Sequence, residues 1–273
     1  MKRAIWIALL ITLPGCAGLI VLAQSSGHSQ SEQAQIVQVQ QTPQAQPPRL
    51  PRRDESFDAP LRKTVVDLGV SPYAAGDHPA HGELACYFFR SFMVKVLDLK
   101  QKGAEWIAIA PDADSGSLRC VREHGKGEKV IEHWFGYFAG VKGNLIFLNG
   151  DDGYQGGYPF GVFDSATGKR LFGDSRELAE KEFHFAHDGN GLVVRYRRVF
   201  VAECSIPGKK EACWEEIERK AGLASQPMPA CTGYGGQTGE ADPSVVSFPV
   251  EVMLLPEIRR RQVAGPVKCW AAQ

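Results

Sequence analysis

The chain has no excess of charge of either sign: 31 Lys and Arg balance 31 Asp and Glu over 273 residues. A nucleic-acid binder normally carries a basic surplus, so that class is excluded as a partner. No two cysteines are spaced as Cys-x-x-Cys, which removes the usual zinc knuckle and ribbon. There is no Gly-x-Ser-x-Gly or Ser-x-x-Lys nucleophile motif and no cysteine–histidine pairing that stands out. A phosphate-binding Gly-x-x-x-x-Gly-Lys-Ser/Thr loop and a dinucleotide fingerprint after a strand are also missing. These absences lower the case for an enzyme without closing it, because triads are assembled from residues distant in sequence. No Asn-x-Ser/Thr acceptor occurs, which fits a bacterial source. Beyond residue 23 there is no second long apolar run, and apolar content is an ordinary 44%.

What is present starts at the N-terminus. Lys2 and Arg3 precede Ala4 to Ala23, a stretch without a charge. This is the pattern of a secretory signal or a single membrane anchor. Three fates are open. Val21-Leu22-Ala23 suits cleavage after Ala23; the apolar run of residues 4–23 can just span a bilayer as a retained anchor. Leu13-Pro14-Gly15-Cys16 resembles a bacterial lipoprotein site, with Cys16 as the lipidated residue, although Pro14 and the apolar residues after Cys16 depart from that pattern. In each case the rest of the chain is exported, and the membrane is met only through this segment. Residues 24–60 read as a tether: nine glutamines lie between Gln24 and Gln46, and Pro43, Pro47, Pro48, Pro51 and Pro60 stiffen it. Such a composition cannot bury enough apolar surface to order itself. Only Ile36 to Val39 has strand character, and Arg49, Arg52 and Arg53 are solvated.

Residues 61–273 remain, enough for one sizeable core. Cys16 apart, six cysteines fall here: Cys86, Cys120, Cys204, Cys213, Cys231 and Cys269. An even set in an exported domain reads as three disulfides. Fifteen pairings are possible, and the preferred one is Cys204–Cys213 across a short Pro207-Gly208 loop, Cys86–Cys120, and Cys231–Cys269.

The apolar periodicity is mostly two. Phe248, Val250, Val252 and Leu254 alternate with Pro249, Glu251 and Met253, as Leu192, Val194 and Tyr196 do with Arg195 and Arg197. Leu145 to Leu148 is apolar on both faces, a central strand. Further strands are expected over 86–99, 104–110, 118–122, 129–138, 159–163, 183–187 and 267–270, punctuated by Lys102-Gly103, Lys142-Gly143-Asn144 and Asp188 to Gly191. Asp174 with Glu177 fits a capping box opening a short helix, and Trp214, Ile217 and Ala221 share a helical face that Gly222 ends. The expected fold is therefore mainly β: an antiparallel sandwich or barrel of about ten strands with one or two short helices, stabilised by disulfides. Asn144 to Phe172, with Val162 to Lys169 at its centre, resembles one blade of a quinoprotein-type propeller. A propeller needs repeats and no second copy occurs, so the segment is read as a hairpin.

Candidate ligand-binding residues cluster after the central strand: Asn149, Asp151, Asp152, Tyr154 and Tyr158, within a glycine-rich run. Asn149, Asp151 and Asp152 offer hard oxygens for calcium, and the tyrosines offer faces for a sugar. Adjacent acids also serve tight turns by bonding their own backbone. Asp112 to Gly116 is a second, less complete acidic loop. His184 and His187 fall on opposite faces if their segment is a strand, which separates them as metal ligands. His133 is expected on a strand face with Phe135 and Tyr137, half-buried. Trp106, Trp134, Trp214 and Trp270 are expected in the core. The runs Arg195 to Arg198 and Arg259 to Arg261 read as solvated edges or turns.

No cofactor is expected, calcium being the one candidate. The function expected is an exported, periplasmic or secreted, tethered module without catalysis, whose partner is an envelope protein, glycan or lipid. The alternatives are a calcium-dependent glycan binder using residues 149–158, and a hydrolase of envelope polymers with His133, His187 or Asp151–Asp152 as acid–base groups.

Overall fold

The turn residues cut the chain where the sequence places them. Gly143, at φ 60°, sits between Lys142 and Leu145 and joins strands β6 (Gly136–Lys142) and β7 (Leu145–Gly150) into a hairpin. Asp164 organises the next turn: its carboxylate accepts from the Thr167 amide at 2.7 Å and from the Thr167 hydroxyl at 2.6 Å, and Gly168 follows at φ 70°. That hairpin joins β8 (Gly157–Asp164) to β9 (Arg170–Glu177). The computed structural model describes residues 55–75, 79–111, 119–179, 183–188, 191–234 and 241–272. The N-terminal segment, Cys16, the body of the tether and the Asp112 loop lie outside the described residues.

Two sheets face each other in a sandwich; neither closes into a barrel. The smaller runs β1 (Arg62–Val70), β2 (His81–Phe88), β3 (Phe92–Asp98), β4 (Trp106–Pro111), β5 (Lys129–Val130) in that order, all antiparallel. The larger adds β10 (His184–Asp188), β11 (Gly191–Val201), β12 (Cys231–Thr232), β13 (Ser244–Met253), β14 (Arg259–Gln262) and β15 (Lys268–Ala271) to β6–β9. Its order is β12-β15-β13-β11-β9-β8-β7-β6, with β10 on β11 and β14 on β13. The strands outnumber those expected because several runs are interrupted. Residues 86–99 hold the end of β2, a turn and β3; residues 129–138 hold β5, a loop and the start of β6. The segment Arg119–Arg122, expected as a strand, carries none.

The core forms where the periodicity points. Leu145, Ile146, Phe147 and Leu148 are all at most 2% exposed, buried on both faces as expected of a central strand. Ile146 and Leu148, with Val141 and Phe163, meet Val94, Val96, Ile107 and Ile109 of the smaller sheet. Leu145 and Phe147 face the other way, toward Phe160, Phe185, Val194, Tyr196 and Phe248. The one helix among the described residues, α1 (Ile206–Ala221), covers this second cluster with Cys213, Trp214, Ile217 and Ala221. Ser205 caps it, Pro207 occupies the first turn where no amide donor is needed, and Gly222 ends it in the left-handed region. A helical turn thus stands upstream in the stretch expected as a loop, separated from the helix that carries Trp214 by a break at Lys210, whose φ is 43°.

All three disulfides pair as the preferred assignment has them: Cys86–Cys120, Cys204–Cys213 and Cys231–Cys269. They fit an oxidising, extracellular environment. Among the described residues no helix is long and apolar enough to cross a membrane.

The last residues assigned to the tether belong to the fold. Glu55 exchanges backbone hydrogen bonds with Phe185 of β10 at 2.8 and 3.1 Å, and the Asp58 amide donates to Val141 of β6 at 2.8 Å. Between them the Phe57 ring enters an aromatic nest, 5.4 Å from Phe147, 5.8 Å from Phe183 and 5.1 Å from Phe185. Gly140 makes the room: a Cβ there would lie 2.4 Å from the Phe57 ring.

The helix expected from Asp174 is strand β9 instead, and Arg195, Arg197 and Arg198 are half-buried on β11 rather than solvated; Arg259 to Arg261 are exposed on β14, which pairs with β13 alone among the described residues, as expected. Both corrections have one cause. Asp174 accepts from Tyr196 Oη (2.6 Å), Arg198 Nε (2.9 Å) and Arg260 Nη1 (3.0 Å). Glu177 accepts from Arg197 Nε (2.8 Å), Ser247 Oγ (2.7 Å) and Lys268 Nζ (2.7 Å). Glu251 holds Arg195 at 2.6 Å and Arg261 at 2.5 Å. The carboxylates that resemble a capping box are claimed by cations from neighbouring strands, which outweighs local helix propensity.

Burial pushes the Glu177 carboxyl up, but hydrogen bonds from Lys268, Ser247 and Arg197 outweigh it and leave it below the ordinary value. Glu251 is depressed in the same way by Arg261 and Arg195 acting against burial. A depressed carboxyl contributes stability that is present above its unfolded pKa, about 4.3, and is lost as pH falls through the lower folded value. The melting temperature is therefore expected to fall below about pH 4.3, with a shallower fall in Glu177→Gln and Glu251→Gln. A pH series of thermal melts tests this, and an equally steep fall in both variants would refute it.

Candidate functional site

The glycine-rich run after β7 folds as a rigid hairpin tip. Tyr154 and Gly157 exchange both backbone hydrogen bonds at 2.8 Å, with Gln155 at φ 53° and Gly156 at φ 80° between them, the signature of a type I′ turn. Trp270 Nε1 donates to the Gln155 carbonyl at 3.3 Å, and the Leu178 amide donates to the Gly156 carbonyl at 2.9 Å. The tip is thereby clamped to the sheet.

Two of its polar residues, Asn149 and Asp152, are already engaged, and Asp151 is half-buried beside them. The Asn149 carbonyl accepts from Trp134 Nε1 at 3.1 Å, and Asn149 Oδ1 lies 3.5 Å from Arg176 Nη2. Asp152 forms an ion pair with Lys102 and accepts from the Gly153 amide at 2.9 Å. The Lys102 hydrogen bond holds the Asp152 carboxyl below the ordinary range. Tyr154 is 67% exposed, while Tyr158 is half-buried with the Arg176 guanidinium 5.5 Å from its ring centroid. Burial, then the neighbouring Tyr137, pushes the Tyr158 hydroxyl up. Calcium would have to displace Lys102 from Asp152 and compete with Arg176 for Asn149. Among the described residues, no three His, Cys, Asp or Glu side chains are grouped to hold a metal ion.

The proposed acid–base groups lie in different places. His133 is not on a strand: it sits at φ 56° in the loop between β5 and β6, its side chain 95% exposed. His187 faces Glu55 at 3.6 Å, and β10 sends His184 to its other face, opposite Arg195. Asp152 is with Lys102.

A cleft that the sequence analysis did not single out lies where the two sheets meet. One wall is β5 and the loop after it, with Val130, Glu132 and His133; the other is the β8–β9 hairpin, with Phe163, Thr167, Lys169 and Arg170. Its volume is about 460 Å³. Gly168 permits the close approach of the walls, since a Cβ there would lie 3.3 Å from Lys129 Cβ. The Arg170 guanidinium lies over the Trp134 ring, 5.2 Å from its centroid, and Trp134 meets Phe163 edge-on at 5.7 Å. Lys169 and Arg170 are exposed, and among the described residues no carboxylate stands within 4.0 Å of either. This sets them apart from the arginines of β11 and β14, which carboxylates neutralise. Two cations without carboxylate partners, beside the Trp134 ring, suit a ligand that carries negative charge on a ring, with Glu132 the one acidic side chain among the described residues that line the cleft. The only sequence signal was a basic pair straight after a hairpin glycine; its meeting with Trp134 is a tertiary fact.

Comparison with protein-family models, with curated proteins and with solved structures finds no match for this chain.

Proposed function

We propose that this chain is an exported binding module without catalysis, tethered outside the cytoplasm, and that it takes an acidic glycan in the cleft between the sheets. The carrying observation is the Lys169–Arg170 pair, left without carboxylate partners among the described residues beside Trp134. Three disulfides support export, and the charged start followed by residues 4–23 and a Gln/Pro tether supports a periplasmic domain held near the inner membrane. Tethering lets a rigid domain reach an extended polymer while staying at the membrane.

The test is titration of the oxidised full-length chain with an oligogalacturonate, using a cello-oligosaccharide of equal length as the neutral control. Binding of the acidic probe alone is expected, with a loss of about tenfold or more in Lys169→Ala and in Arg170→Ala, since a hydrogen bond to a charged group is worth about 1.5–3 kcal/mol. Calcium and EDTA are expected to leave the affinity unchanged. Equal binding of both probes, full affinity in both variants, or release of shortened products would each overturn the reading.

A further inference from the structure

We infer that β1 pairs with β1 of a second copy, giving a two-fold dimer in which the two five-stranded sheets become one. β1 is the end strand of its sheet, and among the described residues nothing pairs with its other edge. An edge that no described strand covers is a template for another strand. Its side chains alternate: Lys63, Val65 and Asp67 are exposed, while Thr64, Val66 and Leu68 are half-buried, the last two against the cluster of Leu84, Cys86 and Met93. Val65 is 48% exposed, a β-branched residue standing in water between a cation and an anion.

The charges select one register. In an antiparallel pair about a two-fold axis normal to the sheet, opposed residues must share a face, so their numbers sum to an even value. An axis at Lys63 sets lysine against lysine, and an axis at Asp67 sets aspartate against aspartate; like charges directly opposed are destabilising. An axis at Thr64 or Val66 opposes a charge to Val65. Only an axis at Val65 sets Lys63 of each copy against Asp67 of the other, twice, with the two Val65 side chains in contact between them. On the opposite face the same register brings Thr64 against Val66, continuing the half-buried cluster across the junction.

In the single chain both charged groups lean toward β2, and in the dimer each turns across the edge instead. Lys63 lies over the Tyr87 ring, its Nζ 5.0 Å from the centroid. Asp67 is 66% exposed although it bonds His81 at 2.9 Å and the Gly69 amide at 2.8 Å. The ladder has a natural limit, because the register of β1 on β2 shifts between Asp67 and Val70. The inference stands independently of the cleft, whose residues are on other strands.

Sedimentation velocity of the full-length chain in mild detergent, over a concentration series, tests it. The wild type is expected as a dimer. Lys63→Glu and Asp67→Lys each set like charges opposite one another at two places and are expected to weaken the dimer by roughly tenfold or more. When the two single variants are mixed, a dimer with one copy of each has opposite charges facing at both places again. The mixture is therefore expected to recover dimers that neither variant forms alone. A monomeric wild type overturns the inference. So does a dimer that survives both substitutions, which would place the contact elsewhere, the N-terminal segment included. Failure of the mixture to recover dimers also overturns it.

Discussion

Lys95→Met is expected to destabilise the oxidised protein by about 3–5 kcal/mol, whereas Lys95→Met/Glu128→Leu recovers most of that loss. Lys95 stands on β3 between Met93 and Leu97 and is fully buried. Its ammonium satisfies its donors: Glu123 O at 2.7 Å, Glu128 Oε1 at 3.0 Å and Glu128 Oε2 at 3.1 Å. The Trp106 ring lies 5.6 Å away, and His124 packs on Trp106 at 4.6 Å while bonding Glu128 at 3.1 Å. The Glu128 side chain is only 8% exposed, so removing the lysine leaves a largely desolvated carboxylate with His124 as its remaining side-chain partner. Removing both partners leaves no stranded charge, and apolar replacements of similar volume suit the site. Urea unfolding measures both. If the double variant is no more stable than the single one, stranded charge is not the cause; a single-variant loss below about 1 kcal/mol would mean the pair is effectively solvated.

The second large effect is removal of the staple beside that pair. Cys86–Cys120 closes a sequence separation of 34 residues, for which loop entropy gives about 3.8 kcal/mol; the 9-residue separation of Cys204–Cys213 gives about 2.6 kcal/mol. Cys86→Ala/Cys120→Ala is therefore expected to lower the melting temperature by roughly 8–15 °C, and more than Cys204→Ala/Cys213→Ala does. The staple anchors the start of the segment that carries Glu123, His124 and Glu128 over Lys95. The two perturbations therefore share a structural element and are not expected to add. In the background without the staple, Lys95→Met should cost less than it does in the wild type. Additive losses, measured by a double-mutant cycle in urea, would show that staple and ion pair act separately.

Much of this fold was legible because its strongest signals are local. The alternation Phe248, Val250, Val252 and the doubly apolar Leu145–Leu148 can be satisfied only by strands in a two-sided core, and both are found there. Gly143, Gly168 and Gly222 punctuate where they do because each takes a positive φ. The disulfide pairing was also read correctly. Short and intermediate separations favour closure of neighbouring segments, and Cys231 and Cys269 meet on adjacent strands β12 and β15.

The misreadings share a different physics. Asp174 and Glu177 look like a helix start until Arg197, Arg198, Arg260 and Lys268 arrive from elsewhere in the chain. Phe57 reads as part of a tether until Gly140, Phe147 and Phe185 make a place for it.

By itself, then, the sequence determined the mainly β architecture, the central strand and the presence of three disulfides, while the preferred pairing among fifteen was settled by the structure. Each rests on a period of two or on the even count and spacing of the cysteines. Only the tertiary structure decided which charges are neutralised and which keep no carboxylate beside them. Ion pairing depends on contacts between strands far apart along the chain, and no local pattern records those. It is this sorting that separates Lys169 and Arg170 from the arginines of β11, and Lys63 and Asp67 from the buried pair at Lys95.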